Sequence, residues 1–395
     1  MDLLSRSTIL YINQTRQDDF EKLIGKGFSE ALSWRKYFKN VIFVCYSTTN
    51  RFIYKKIYDN CYLMAIPFDL SESTVKSIVN LGINYMKLFS FLLKLTKITE
   101  INIIRMENLL LSGPSVYLLS KFRKIPYVIW LGGHERNALI FKYGKNLFTS
   151  FLALLIKLYE KIILKNANFT FAVSQDLINL VEERNVRNKF FSPNYVDLSS
   201  FKETSVNNNK SSTNLIKLLF VGRFEEEKGI KVLLNAVKGL TEEKDKFELY
   251  LTGDGSLKVW IESFIKKNNM TNVKFLGRFD HKDMPKIYNS SDIFILPSYT
   301  EGSPASLIEA MSCGIASIAT AVGESKKYIS DGKTGILISP GDPKELRNAI
   351  KSLINNRALI EKFGKNGRNS IIKYTKNYTR IHKFVYEQIL KRSQF

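Results

Sequence analysis

The stretch YTEGSPASLIEAMSCG (299–314) decides how this chain is read. It follows DIFILPS (292–298), a short β-branched and aromatic run that predicts a strand. Ser303–Pro304 then predicts a helix start, serine as N-cap and proline at the first helical position. Strand passing straight into helix is the grammar of α/β layering. The stretch also carries two carboxylates, Glu301 outside the helix start and Glu309 within an apolar helical run. At 1.5 Å rise per residue, Glu309 stands roughly 8 Å along the axis. One reading places both on a single ligand. The other makes Ser306-x-x-Glu309 a capping box and Glu301 an ordinary surface carboxylate.

Outward from this stretch, both halves of the chain alternate strand-like runs with helical patterns. In the second half the runs are IKLLFVG (216–222), KFELYLTG (246–253), NVKFLG (272–277), ASIAT (316–320) and TGILIS (334–339). The first half offers STILYIN (7–13), NVIFVCYS (40–47), YLMAI (62–66), INIIRM (101–106), YVIW (127–130) and FTFAVS (169–174). Helices are expected between them, FSEALSWRKYFK (28–39) for example. The polar, aperiodic SSFKETSVNNNKSSTN (199–214) reads as a linker. The expected fold is therefore α/β: two Rossmann-like parallel-sheet domains, residues 1–198 and 199–376, facing each other across a cleft. A final helix, 377–395, is expected after a break near Lys376–Asn377, packing back on the first domain.

Bulk properties narrow the function classes. A chain of 395 residues, 45% hydrophobic and 24% charged, suits two globular domains. The longest apolar stretch, FTSFLALLIKLYEKIIL (148–164), is broken by Lys157, Glu160 and Lys161, too charged to span a bilayer. No leader pattern opens the chain, and its three cysteines are widely spaced, so a cytoplasmic location is expected. The net charge of +22 is spread over both halves, with a basic concentration at 85–165, where 13 Lys/Arg face 4 Asp/Glu. Nucleic acid, anionic lipid or a phosphorylated substrate would each suit such a surface. YMKLFSFLLKLTK (85–97) and LFTSFLALLIKLYEKIILK (147–165) interleave bases with apolar residues, as interfacial helices do. Buried helices with a basic solvated face would read the same way.

Three further strand ends carry candidate site residues. FVGRFEEEKGI (220–230) places Arg223 and Lys228 on either side of a turn, suited to a diphosphate at a helix N-terminus or to local pairing with Glu225–Glu227. YLTGDGS (250–256) brings Gly253 to a turn, and NVKFLGRFDHKDM (272–284) brings Arg278 to another. No D-x-D, no nicotinamide-type G-x-G-x-x-G after a strand and no His/Cys/Glu set with metal spacing occurs, so neither metal nor cofactor is expected.

G-R-F-x4-K-G, then G-D-G, then E-x7-E within EGSPASLIEAMSCG resembles the family-4 retaining glycosyltransferases of the GT-B fold, in order and separation. The first half joins the resemblance through IPYVIWLGGHE (125–135) and the junction NYVDLSSF (194–201). The resemblance implies a nucleotide-diphosphate sugar held mainly by the second domain. Arg223 and Lys228 would neutralise the diphosphate, and Glu309 would accept from the ribose hydroxyls. Glu301, with backbone amides from Ser303 through Pro304 to Ala305, would contact the donor sugar, and His134 would stand beside it. Gly253 and Arg278 would line the donor site. The family's glycine-rich loop is represented only by Gly25-Lys26-Gly27, so Gly25 and Gly27 are weaker candidates for an acceptor or phosphate loop.

The activity so implied is metal-independent transfer of a sugar, UDP-linked in preference to GDP-linked, with retention of configuration. The acceptor would be a glycan or lipid-linked hydroxyl in cell-surface polysaccharide or glycolipid assembly, met at the inner membrane face and not on nucleic acid. A nucleotide-sugar epimerase on the same fold, or a non-catalytic binder of polyanions or membrane surfaces, is the alternative.

Overall fold

In a computed structural model of the protein, residues 3–16, 32–47, 51–67, 74–107, 109–132, 147–192, 194–203 and 215–393 are described. Their packing forms two units. Unit 1 is Met1–Pro193 with Thr379–Phe395; unit 2 is Asn194–Tyr378. The division falls ahead of the polar 199–214 segment because Val196 and Phe201 are buried in unit 2's core.

Unit 1 contains, in chain order, β1 (Thr8–Arg16), β2 (Asn40–Ser47), β3 (Ile53–Tyr58), β4 (Cys61–Pro67), α1 (Thr74–Ile98), β5 (Ile103–Met106) and α2 (Leu109–Arg123). There follow β6 (Tyr127–Leu131), α3 (Leu147–Asn166), β7 (Phe169–Ala172), α4 (Gln175–Glu183) and β8 (Lys189–Phe191). The sheet order is β3-β4-β2-β1-β5-β6-β7-β8. Only the β3–β4 pair is antiparallel among the described strands.

Period-2 alternation explains how the sheet is sandwiched. Leu10 and Ile12 of β1 pack with Leu88, Leu92, Val116 and Ile163 from α1–α3. Ile9 and Tyr11 face the other way, onto Trp34, Phe38, Tyr386 and Ile389. The second face is thus closed by the C-terminal segment of the chain. Its His382 is fully buried, stacked on Phe171 at 3.8 Å between ring centroids, with Nε2 2.6 Å from Ser192 Oγ.

Two strands lie outside the expected set. β3, IYKKIY, is mostly exposed at the sheet edge, where Lys55 and Lys56 discourage further pairing, and half-exposure erases its hydrophobic signal. β8 is only three residues long. Of the helix expected over 28–39, residues 32–34 are helical and 35–39 form turns and bends, with 28–31 outside the described residues. The turn lets Trp34 and Phe38 both reach Tyr386.

Unit 2 holds β9 (Ile216–Val221), α5 (Ile230–Lys238), β10 (Phe247–Thr252), α6 (Lys258–Lys267), β11 (Val273–Gly277), α7 (Met284–Asn289) and β12 (Ile293–Leu296). After these come α8 (Ala305–Ser312), β13 (Ala316–Thr320), α9 (Ser325–Tyr328), β14 (Ile336–Ile338), α10 (Pro343–Ile354) and α11 (Arg357–Ser393), whose residues from Thr379 onward belong to unit 1. The sheet is parallel, ordered β11-β10-β9-β12-β13-β14. Leu218 and Phe220 of β9 pack with Ile230, Leu233 and Ile350 on one face. Leu219 packs with Tyr288, Leu307 and Met311 on the other.

The break expected near Lys376–Asn377 is absent. α11 is one 37-residue helix. Neither residue is a helix breaker, and Thr375 and Tyr378 are buried on either side of the expected break. No described helix is long and apolar enough to cross a membrane.

Candidate functional site

The unit 2 order is 3-2-1-4-5-6 in sequence terms, and it reverses between β9 and β12. In open parallel sheets the crevice beyond the carboxyl ends at such a reversal is where ligands bind. β9 runs out into Gly222-Arg223-Phe224, and β12 into Pro297-Ser298-Tyr299-Thr300-Glu301. The two segments that carry the expected charged residues therefore flank the reversal.

Close backbone approach builds the crevice wall. Gly229 adopts φ +65°, and a Cβ there would stand 1.9 Å from the Pro297 carbonyl oxygen, so only glycine lets the start of α5 meet the end of β12. Gly253, at φ +145°, plays the same part between neighbouring turns, its missing Cβ 1.9 Å from the Gly222 carbonyl. The need for glycine at 253 is met by chain packing alone. The 297–302 segment is tied down by backbone bonds, Tyr299 N–H to the Glu227 carbonyl and Glu324 N–H to the Gly302 carbonyl, both 2.9 Å. Thr320 adds a hydroxyl bond to the Ser298 carbonyl at 2.6 Å.

On this frame Lys228 Nζ donates to Glu301 Oε1 at 2.7 Å, with the side chains 20% and 10% exposed. The buried Ser298 hydroxyl donates to the same oxygen at 2.8 Å. Lys228 thus pairs across the crevice and not with the Glu225–Glu227 run. Arg223 does pair locally, with Glu227 Oε1 at 2.6 Å, and its side chain is 70% exposed. Glu225 turns instead to Ser256, accepting from its hydroxyl at 2.5 Å and from its backbone N–H at 3.0 Å, and these contacts hold its carboxyl below the usual range.

The expected helix start is corrected by one residue. α8 begins at Ala305 with Pro304 in the cap position, and no side chain caps it. The Ser303 hydroxyl is engaged elsewhere, accepting from Asn194 N–H at 2.9 Å and lying 2.6 Å from the Tyr328 hydroxyl. Pro304 has no N–H, so any backbone donors here come from Ser303, Ala305 and beyond.

Glu309 is not part of a capping box. It is buried, with Oε2 accepting from the Tyr288 hydroxyl at 2.9 Å and Oε1 3.1 Å from His281 Nε2. Burial, and then the Glu309 charge, raise the Tyr288 hydroxyl well above its ordinary pKa, so it stays a donor. Neither partner was expected from the sequence. The available signal for His281 was only that one of three histidines follows a strand end. Arg278 is exposed just past β11. His134, Gly25 and Gly27 lie outside the described residues.

Residues 201–370 match the family model described as glycosyl transferases group 1. An uncharacterised glycosyltransferase of Methanocaldococcus jannaschii is 34% identical over 157 residues, 40% of this chain and 43% of that one. The chain therefore aligns with less than half of that curated relative. Among solved structures, sucrose-phosphate synthase of Thermosynechococcus elongatus is similar with a TM-score of 0.75 at 21% identity, covering 98% of this chain and all of that one. HepE of Anabaena, solved in complex with UDP, is similar with a TM-score of 0.64 at 15% identity, covering 95% and 99%. The fold of this chain is GT-B, and the match to the glycosyl transferases group 1 model lies within residues 201–370.

Proposed function

We propose that the protein is a retaining glycosyltransferase that moves a sugar from a nucleoside-diphosphate donor, UDP-linked in preference to GDP-linked, to an acceptor hydroxyl. The observation that carries this reading is the placement of Lys228–Glu301 and Glu309 at the sheet reversal of unit 2. An ammonium has three donors. With one on Glu301, Lys228 keeps two for diphosphate oxygens, joined by Arg223 and the N–H groups at the start of α8. Glu301 then accepts from sugar hydroxyls and Glu309 from the ribose diol. Departing negative charge is stabilised by groups already in place, the arrangement most effective for rate. That UDP is preferred draws support from HepE's complex with UDP. In this reading transfer needs no metal and survives EDTA.

A thermal-shift screen of UDP- and GDP-linked sugars tests the reading. Stabilisation by at least one nucleotide sugar is expected. If none shifts the melting curve, the donor site is wrongly assigned. Turnover of a UDP-sugar with no acceptor present would favour the epimerase alternative.

A second reading, of where the acceptor is met, rests on α3. Leu154, Leu155, Leu158 and Ile162 form an exposed apolar face beside exposed Lys157, Lys161 and Lys165. Such a face suits the boundary of an anionic leaflet. A lipid-linked acceptor at the inner membrane surface, in polysaccharide or glycolipid assembly, is the reading it supports.

A further inference from the structure

The α1 side of the unit 1 sheet is not covered evenly. β4 turns Tyr62, Met64 and Ile66 to that side, by the same alternation that aims Ile42 and Val44 of β2 there. In the antiparallel β3 the residue opposite Met64 is Tyr54, which shares its face. Tyr54 and Tyr62 stack at 6.4 Å between centroids, with 15° between their planes. Ile66 is buried, Tyr62 and Met64 are half-buried, and Tyr54 is 55% exposed, so helix cover thins out towards the edge hairpin. The result is a cavity of about 730 Å³ between the end of α1 and the amino ends of β2 and β4. Phe52 closes one side, 5.6 Å from Phe91 between centroids, and Ile98, 80% exposed, stands at the end of α1. That volume is within the range of small-molecule sites. The cavity is at the amino ends of the strands, away from the carboxyl ends where open sheets hold their ligands.

Its chemistry is one-sided. The walls are aromatic and aliphatic, and part of the polar lining is already used. The Tyr62 hydroxyl donates to the Asp59 carbonyl at 3.0 Å, and the Asn40 amide donates to Thr8 Oγ1 at 3.4 Å. Lys94, exposed at the mouth, is the one charged residue among the described residues that line it. A sugar or nucleobase placed here would bury polar groups with few partners, which is costly. A hydrocarbon chain has no such groups to lose. α1 carries four lysines and no carboxylate in its 25 residues, so the head group favoured at this mouth is an anion.

We propose that this cavity is a second ligand site, one that takes a hydrocarbon chain of an anionic lipid, with Lys94 meeting the head group. The site uses no residue of the unit 2 crevice, so it stands or falls independently of the donor reading.

Calorimetry of the full chain with dodecyl phosphate, kept below its micelle concentration, tests this. Saturable binding of one molecule per chain is expected, and inorganic phosphate alone should give none. Across octyl, decyl and dodecyl phosphate, each added methylene should tighten binding roughly threefold, as its burial requires. Dodecyl maltoside, with the same chain and no charge, should bind two- to fivefold more weakly, the worth of an exposed charge pair, and Lys94→Glu should erase that preference. Met64→Trp should fill the cavity and abolish binding. Tyr54→Ala, on the exposed edge strand where folding is not at stake, should weaken binding about fivefold or more. Affinity that ignores chain length, or that survives both substitutions, would overturn the proposal. So would a wild-type dimer in sedimentation that Tyr54→Ala dissociates, because the cavity would then be filled by a second copy of the chain.

Discussion

The two units share a plan, a largely parallel sheet with helices on both faces, and differ in what they show to solvent. Unit 2 keeps its large hydrophobic side chains inside. Among its described residues only Val259 and Tyr299 are notably exposed. Unit 1 leaves Ile83, Met86, Phe122, Leu154, Leu158 and Ile162 in water, alongside others. Unit 2 also has its candidate ligand-binding groups on a few tightly packed loops, with glycine required at 229 and 253 by backbone contact. Unit 1 spreads apolar area and lysines over helix surfaces. On the proposed reading, the contrast teaches that one scaffold can serve two kinds of recognition. A charged small molecule needs particular groups at fixed points, whereas a surface needs only area and charge of one sign.

The sharpest way to break that contrast is at the crevice. Lys228→Ala and, separately, Arg223→Ala should each lower transfer by about 10²–10³ at saturating donor, because on the proposed reading each removes positive charge facing a departing diphosphate. Steady-state rates with a water-soluble acceptor would show it. Wild-type turnover in both variants would remove the diphosphate from this site, and with it the claim that unit 2 holds the chemistry.

That expectation was open to sequence reasoning for a physical reason. A turn that needs glycine, a lysine at the next helix start and a carboxylate beside the following one have few substitutes, so G-R-F-x4-K-G and E-x7-E stand out as spacing. The strands of both sheets were legible for a related reason: burial on both faces demands continuous β-branched and aromatic runs. What stayed hidden was tertiary. Edge strand β3 has no apolar face to announce it. The direction of Ser303, towards Asn194 and Tyr328 and away from the helix start, depends on residues 109 positions before and 25 after it. His281 meets Glu309 only because the chain after β11 crosses back over the sheet to β12 through α7, which packs against α8. Nor could periodicity tell whether the apolar face of α3 is covered, since a buried and a bare stripe have the same spacing.

The next test works on unit 1. Leu154→Ser combined with Leu158→Ser removes two exposed leucines from the α3 face without touching its core contacts Ile156, Ile163 and Leu164. Burying a leucine side chain fully contributes about 1.5–3 kcal/mol, so partition onto anionic vesicles should fall tenfold or more even with partial burial. Turnover with a water-soluble acceptor should stay near wild type. Co-sedimentation at low salt measures the first and steady-state rates the second. Equal binding of wild type to neutral and anionic vesicles would sink the electrostatic half of the idea, and an unchanged double variant the apolar half.

The smallest expected effect separates the units by pH. His382 is fully buried in unit 1, and burial first, then the nearby Arg105 guanidinium, hold its pKa well below 6.5. The sign follows from which state binds the proton. Below pH 6.5 the unfolded chain takes up a proton on this imidazole that the folded unit refuses, so stability falls as pH drops. One such group gives a slope of up to about 1.4 kcal/mol per pH unit, beginning near pH 6.5 and continuing downward. Most carboxylates are still ionised just below that pH, and His134 and His281 are the only other histidines in the chain. Hydrogen exchange resolved to each unit should therefore show unit 1 losing protection between pH 7 and 5.5 while unit 2 holds. His382→Gln should start from lower stability, having lost the stack on Phe171, and yet show a flatter slope. A slope that survives the substitution would place the titrating group elsewhere, and a flat wild-type profile would mean that His382 is solvated in the folded unit.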